Sequence, residues 1–343
     1  MKYCFNCPAL FFVFILSLLY QPVSAQNVKV VDLLCEQQSH PIGIATLQPR
    51  FSWQLESGQR NVKQTSYEII VASSKANAEK NIGDVWSSGV VNTDDAVLVP
   101  FQGKGLLPNR YYYTKVKVTT NKGDEVWSKP AFFTLGFVNP SSWKAKWIGY
   151  DKAFPWDSVS QWSRLSARYY RKEFSVAKKV KKAFVNIVGL GMYELKINGT
   201  KMGDQVLAPA PTDYRKSVLS NTFDVTEHIN NGKNAIGVVL GNGRFFTMRQ
   251  DYKPHKINNF GFPKLLFQLD LIYEDGSSQT IVSDQTWKFT ANGPIRTNNE
   301  YDGEEYDATK ELGNWSAAGY VDSKWMKAEL VKAPEGKITP QPN

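Results

Sequence analysis

The sequence predicts an all-β protein built from two consecutive antiparallel sandwiches, on three observations. Two-residue alternation of apolar and polar side chains recurs along the chain, while the 3.6-residue period of an amphipathic helix is almost absent. Turn-forming residues punctuate these runs at roughly 8–12 residue spacing, the rhythm of short strands in a sandwich or barrel. The length, 343 residues at 42% hydrophobic content, exceeds the ~100–150 of one domain and supplies enough apolar side chains for separate cores.

The first 25 residues read as a secretory signal, with Lys2, an apolar stretch from Ala9 to Tyr20, and small residues at Val23-Ser24-Ala25. That stretch is shorter than the ~20 residues a membrane span needs, and no later run approaches it. The expectation is an exported protein, secreted or periplasmic, cut near Ala25 and without a membrane span.

A first β-domain over 27–137 follows. Tyr67, Ile69 and Val71 alternate with Glu68 and Ile70; Tyr112, Thr114, Val116 and Val118 alternate with Tyr113, Lys115 and Lys117 before the turn at 121–124. A brief helix is expected at 75–81, and Ala131 to Leu135 supplies the last strand. Trp53, Tyr113 and Trp127 sit at alternating positions and read as core. Turn formers gather at 136–142 and mark the boundary.

The second domain, 143–333, has the same grammar with more aromatic weight. Tyr193, Leu195 and Ile197 lead into Asn198-Gly199, the pair a type I′ hairpin demands. Phe267 to Tyr273 reaches Asp275-Gly276 and returns toward Trp287 and Phe289. A one-turn helix is expected near 225–229, capped by Asp224 or Thr226. The lysine run at 178–182 reads as a solvated edge strand. Trp143, Trp147, Trp315 and Trp325 read as packing at the domain's ends.

Composition narrows the chemistry. Cys4 and Cys7 fall in the signal, so Cys35 is the sole remaining thiol, with no internal disulfide and a buried, inert reading. The net charge is +9, but the basic residues are interspersed with acids and export makes nucleic acid an unsuitable partner. His40, His228 and His255 are far apart and lack cysteine partners, which argues against zinc. The glycines at 241–243 lack the lysine of a phosphate-binding loop, and there is no Gly-x-Ser-x-Gly elbow.

What remains is the acidic segment 299–308, NEYDGEEYDA. Exported β-proteins rich in aromatics often handle carbohydrate, and glycosidases run on paired carboxylates. On a strand, Asp302 and Glu304 would lie roughly 6.6 Å apart on one face. Their side chains would be parallel neighbours, so they cannot flank a glycosidic bond from opposite sides. Two readings stay open: an irregular calcium site drawing on Asp302, Glu304 and Asp307, and a surface loop whose tyrosines pack and whose acids meet lysines or water, which the sequence favours.

The runs WKAKWIGYD (143–151), YYRKEFSV (169–176), GLGMYELKINGTKMG (189–203), LAPAPTDYRKSV (207–218), FDVTEHINNGKNAIGVVLGNGRF (223–245) and YDGEEYDA (301–308) resemble, in this order, the amino-terminal portion of bacterial α-L-rhamnosidases of glycoside hydrolase family 78. The preceding blocks HPIGIATLQPRFSWQLES (40–57), QTSYEIIVASS (64–74), DVWSSGVV (84–91) and GLLPNRYYYTKVKV (105–118) resemble the fibronectin-III or immunoglobulin-like sandwich that precedes it. The resemblance implies a larger, jelly-roll-like second sandwich, and a tail at 334–343 leading toward a catalytic (α/α)₆ barrel that this sequence does not contain. It therefore carries no catalytic acid or base onto this chain and requires no cofactor. It implies a non-catalytic part of an inverting hydrolase of terminal α-L-rhamnosides. Partners would be rhamnose-containing glycans or a separately encoded catalytic domain; the alternatives are a structural docking module without sugar affinity and, less favoured, an active α-L-rhamnosidase on this chain itself. The candidate sugar contacts are Asn198, Asp213, Tyr214, Asn242, Arg244, Glu304, Tyr306 and Asp307. Amides and carboxylates can take paired sugar hydroxyls while a ring covers an apolar sugar face. At Arg244 the sequence departs from the family pattern, where a Trp often stands.

Overall fold

A computed structural model describes residues 28–159, 164–247, 260–300 and 303–342. The signal reading, His255 and Asp302 lie outside the described residues. The fold is all-β, in two sandwiches. In the first, Lys29–Cys35, Arg50–Glu56 and Val99–Pro100 form one sheet. In the other, Trp86–Ser87, Gln64–Ala72, Tyr111–Thr120 and Glu125–Trp127 pair in that order, with Ala131–Thr134 also on Tyr111–Thr120.

Alternation decides what fills this core. Phe51, Ile69, Val71, Val116, Val118 and Phe133 point between the sheets and are fully buried. Trp53 joins them, its indole N–H donating to Gln64 Oε1 at 2.9 Å, so a buried polar atom is satisfied. Cys35 is buried in the same cluster, and burial pushes its thiol pKa up, as an inert thiol requires. Two core expectations need correcting. Tyr112 is the buried ring, whereas Tyr113 faces the other way and is half-buried. Trp127 is also half-buried, covered by the ammonium groups of Lys115 and Lys117 at 5.3 and 5.7 Å. The expected helix is Lys75–Glu79, capped by Ser74, whose hydroxyl accepts from the Asn77 N–H.

The second sandwich stacks two larger sheets. One runs Thr200–Lys201, Met192–Ile197, Gly232–Gly241, Arg168–Val176, Lys288–Thr290, Met326–Lys327. The other runs Glu329–Leu330, Ile148–Gly149, Lys264–Tyr273, Val180–Leu190, Ser217–Asp224, Lys337–Gln341, with Ser278–Val282 also on Lys264–Tyr273. Leu195, Ile197, Ile236 and Val238 of the first meet Val185, Ile187, Phe267 and Leu269 of the second. Both hairpins close as their turn residues require: Asn198 and Gly199 have φ of 52° and 87°, and Gly276 has 83°. A 3₁₀ turn at Thr226–His228 follows Asp224, whose carboxylate accepts from the Thr226 N–H at 2.9 Å. Trp143 and Trp147 pack around Tyr214 and Phe245, and Trp315 and Trp325 around Tyr169.

Two expectations change here. The lysine run does not open an edge strand: Val180–Leu190 lies inside its sheet, between Lys264–Tyr273 and Ser217–Asp224. Its lysines reach acids on neighbouring strands and turns, Lys178 to Asp275 at 2.8 Å and Lys182 to Asp224 at 3.5 Å. The expected tail is in part a strand, with Lys337–Gln341 pairing in parallel with Ser217–Asp224. Among the described residues no helix is long and apolar enough to cross a membrane.

The two sandwiches meet along a polar seam. The Asn109 side chain donates to Asp270 Oδ2 at 3.0 Å and accepts from Asn186 Nδ2 at 2.9 Å, and Asn186 Oδ1 accepts from the Thr222 hydroxyl at 2.8 Å. Asp270 also accepts from Gln268 and Thr280. Beside this node the Tyr111 hydroxyl donates to Asp224 at 2.7 Å, and the Lys182 ammonium lies 4.6 Å from the Tyr111 ring. Glycine permits the approach: a Cβ at Gly43 would fall 2.8 Å from Thr222, and one at Gly136 2.7 Å from Pro340.

Asn109→Ala should leave the buried Asn186 amide nitrogen without its acceptor, remove one of the donors to Asp270 and place alanine at a φ of 57°. The expected loss is about 1–3 kcal/mol, read in calorimetry as a lowered transition that separates into two. A melting profile identical to that of the unaltered protein would show the seam to be a passive contact.

Candidate functional site

Three of the eight candidates are held in structural bonds. Asn198 donates to the His228 carbonyl at 2.9 Å and to Asn234 Oδ1 at 2.8 Å, and accepts from the Ala235 N–H at 2.8 Å, which ties its hairpin to the neighbouring strand. Asp213 accepts from Arg215 Nε at 3.1 Å while its carbonyl accepts from the Lys216 and Ser217 N–H groups, closing a turn. The Arg215 hydrogen bond holds its pKa below the usual carboxylate range. Asp307 caps the 3₁₀ turn Ala308–Lys310, accepting from Thr309 N at 3.0 Å and Thr309 Oγ1 at 2.6 Å. Those bonds lower its pKa too.

The other five gather at or near one end of the second sandwich, around the turn 241–245. Asn242 is fully buried, donating to the Leu165 carbonyl at 2.7 Å, while its N–H donates to Asn298 Oδ1 at 2.6 Å. That bond ties the turn to the hairpin Ile295–Asn299 and Gly303–Tyr306. Arg244 is ion-paired with Glu300 at the end of the same hairpin. Between turn and hairpin opens a groove of about 490 Å³. Gly241 and Gly243 form one rim, Glu300, Gly303 and Glu304 the other. Bulk is excluded at both glycines: a Cβ on Gly241 would fall 2.5 Å from Asn298 Oδ1, and one on Gly243 2.9 Å from Met192.

The groove's chemistry is mixed. Met192, Leu207, Val239 and Ile295 give it an apolar wall; Glu194, Gln205, Asn298, Asn299, Glu300 and Glu304 bring carboxylates and amides to the same space. Glu194 is paired with Lys196 and Lys201. Glu304 forms no ion pair among the described residues, whereas its neighbour Glu305 is paired with Arg164 at 2.9 Å. Two buried amide atoms, Asn242 Oδ1 and Asn298 Nδ2, lack hydrogen-bond partners among the described residues, and of these two side chains only Asn298 lines the groove. Tyr306 is exposed at 53% and does not line the groove.

Tyr214 is buried, and its phenol pKa is pushed up to about 12, first by burial and then by the charge of Glu300, with Arg244 opposing. It belongs to a second pocket beside the groove, with Phe245 and Phe260. The acids displaced from the ordinary range, Glu36, Asp84, Asp213, Asp275, Asp307 and Asp322, are all displaced downward, opposite to a proton donor. Among the described residues no three His, Cys, Asp or Glu side chains are grouped to hold a metal ion. Of the two described acids offered for calcium, Asp307 caps its own 3₁₀ turn, and Glu304 lines the groove together with Glu194 and Glu300.

Sequence reasoning missed Gly241, Gly243, Gln205, Asn298 and Asn299. The glycines read as a strand-ending turn, and the asparagines precede the acidic run that drew attention. The signal that could have found the asparagines was the recurrence of asparagine at 242, in a turn, and at 298–299, at a strand end, whose proximity only the folded chain reveals.

Comparison with known proteins places both sandwiches. Residues 178–343 match the model of the α-L-rhamnosidase N-terminal domain, and residues 30–139 that of the Rha78A-like N-terminal immunoglobulin domain. The chain is 36% identical over 323 residues to an α-L-rhamnosidase of Formosa agariphila, covering 89% of this chain and 34% of that protein. The solved α-L-rhamnosidase from Dictyoglumus thermophilum superposes with a TM-score of 0.81 at 41% identity, covering 93% of this chain and 36% of that one. For the native enzyme from Aspergillus terreus the values are 0.80, 30%, 92% and 35%. The chain thus spans about a third of the length of these relatives. With both family models falling in order on the two sandwiches, the chain belongs to the α-L-rhamnosidase family, glycoside hydrolase family 78, and represents its amino-terminal β-sandwich region.

Proposed function

We propose that this chain is an exported, non-catalytic portion of an α-L-rhamnosidase whose second sandwich assists recognition of rhamnose-containing glycans, with the reaction carried out by a catalytic domain elsewhere. The observation that carries this reading is the groove beside turn 241–245, where an apolar wall faces carboxylates and amides. A sugar presents the matching surface: C–H groups on one face and paired hydroxyls that accept and donate around its edge. Glu304, which forms no ion pair among the described residues, and the Asn298 amide nitrogen, which has no partner among them, are the groove groups with hydrogen-bonding capacity still to fill. Export rests on the signal-like first 25 residues.

A second reading, a docking module without sugar affinity, draws support from Asn198, Asp213 and Asp307, each of which makes structural bonds within the fold. Calorimetry separates the two. L-rhamnose should release heat with this protein and release none with Glu304→Ala; absence of heat with the unaltered protein, with or without added calcium, would leave the docking module. Purified protein should release no rhamnose from an aryl rhamnoside, and turnover abolished by Glu304→Ala would overturn the non-catalytic reading.

Asp307→Ala should behave differently from Glu304→Ala. Removal of the cap should speed hydrogen exchange at the Thr309 amide and leave L-rhamnose binding intact, while Asp307→Asn should retain much of the protection. Because the Asp307 pKa is depressed in the fold, the cap's contribution is fully present above the unfolded carboxylate pKa. It is lost as pH falls through the depressed folded value. Loss of rhamnose binding in Asp307→Ala, with Thr309 exchange unchanged, would make Asp307 a ligand contact instead.

A further inference from the structure

The second pocket, about 490 Å³, adjoins the groove across a single residue: Gly243 lines the groove, Phe245 lines the pocket, and Arg244 between them is paired with Glu300. The chemistry changes sign across that ion pair. On the groove side Glu194, Glu300 and Glu304 face one lysine, Lys201. On the pocket side Arg215, Lys264 and Lys332 face one acid, Glu335.

The pocket's floor is aromatic. Tyr214 meets Phe245 and Phe260 edge-on at 5.1 Å each, and the two phenylalanines stack at 6.0 Å. Tyr214 and Phe245 are buried, so half-buried Phe260 is the ring with surface left to offer. The Arg215 guanidinium lies 5.9 Å from it. Asp213 takes the Nε edge of Arg215, and the terminal nitrogens have no hydrogen-bond partner among the described residues. Lys264 is held at 2.9 Å by Asp151, while Lys332 is exposed and forms no ion pair among the described residues. Two cationic groups with donors still to fill therefore border an aromatic surface, in a space large enough for a sugar ring.

We propose that this pocket binds the carboxylate-bearing unit of an acidic glycan, with Arg215 and Lys332 taking the carboxylate and Phe260 covering the sugar's apolar face. The groove then holds a neutral neighbouring unit, and only that half of the arrangement rests on the glycan reading above. A guanidinium suits a carboxylate because it can donate two parallel hydrogen bonds to it, and an aromatic face suits the C–H surface of a pyranose but not a free inorganic anion.

The test titrates the full chain with D-glucuronate, D-glucose, acetate, glucose 6-sulfate and L-rhamnose. D-glucuronate should bind, and D-glucose and acetate should not. Doubly substituted Arg215→Gln, Lys332→Gln should bind D-glucuronate about tenfold more weakly. Raising salt from about 50 to about 500 mM should weaken it as well. Phe260→Leu should weaken D-glucuronate without creating acetate binding. L-rhamnose binding should be unchanged in all of these variants. Both cationic side chains lie at the surface, and an unchanged melting temperature checks that the variants fold. No binding of D-glucuronate, full binding in the double variant, or acetate binding as tightly as D-glucuronate would overturn the proposal. Preference for glucose 6-sulfate would overturn the carboxylate assignment. L-rhamnose binding without D-glucuronate binding removes this pocket alone, whereas the converse removes the groove reading and leaves this one standing.

Discussion

Asn186 sits in the middle of the strand Val180–Leu190, fully buried, with its amide turned away from the second sandwich's own core. A buried amide without partners would cost on the order of 1–3 kcal/mol, so something must cover and satisfy it. The first sandwich does both. Asn109 accepts from its nitrogen and Thr222 donates to its oxygen. Phe184, two residues earlier on the same outward face, packs against Tyr111 at 5.8 Å. The outer face of this sheet is consequently an interior, and the two sandwiches are one hydrogen-bonded body there.

The far end of the second sandwich is organised by the opposite device, an absence of side chains. The turn 241–245 can approach the hairpin 295–306 because glycine stands at 241 and 243. Asn242 then fixes the approach with one bond to Asn298 and one to Leu165. The groove is the space left between two backbones held close but not packed. Arg244 and Glu300 bridge its edge, and their opposed charges divide an acidic compartment from a basic one.

Much of the fold was legible because strands announce themselves by alternation and their turns by chemistry. Asn198-Gly199 demanded a type I′ hairpin and forms one. Ser74 took the capping role that short polar side chains favour, whereas the turn Thr226–His228 has Val225 at its N-cap and Asp224, one residue earlier, accepts from the Thr226 N–H. Where one face of a strand meets water, the pattern is plain, as at Met192–Ile197. It failed at Val180–Leu190 because both faces are buried, so alternation vanished and the flanking lysines suggested an edge. It failed at Tyr113 for a related reason: a tyrosine facing another domain has the same composition as one facing a core.

The candidate site was legible only in part. The motif turns were found, but a motif does not say whether its polar atoms are free. Asn198 and Asp307 look like ligand contacts in the sequence, and the fold gives them structural bonds, to the neighbouring strand and to a 3₁₀ turn. Conversely, Asn298 and Gly241 carry no local mark and acquire a role from the strands that bring them together. What the sequence by itself determined were the properties set by neighbours along the chain: strand period, turn type, the Ser74 cap and family membership. What only the tertiary structure decided were the properties set by neighbours across space: which strand is interior, which carboxylate is already paired, and where two turns meet to leave a groove. Hydrogen-bond capacity is consumed by whichever partner lies near, and that nearness is a property of the folded chain.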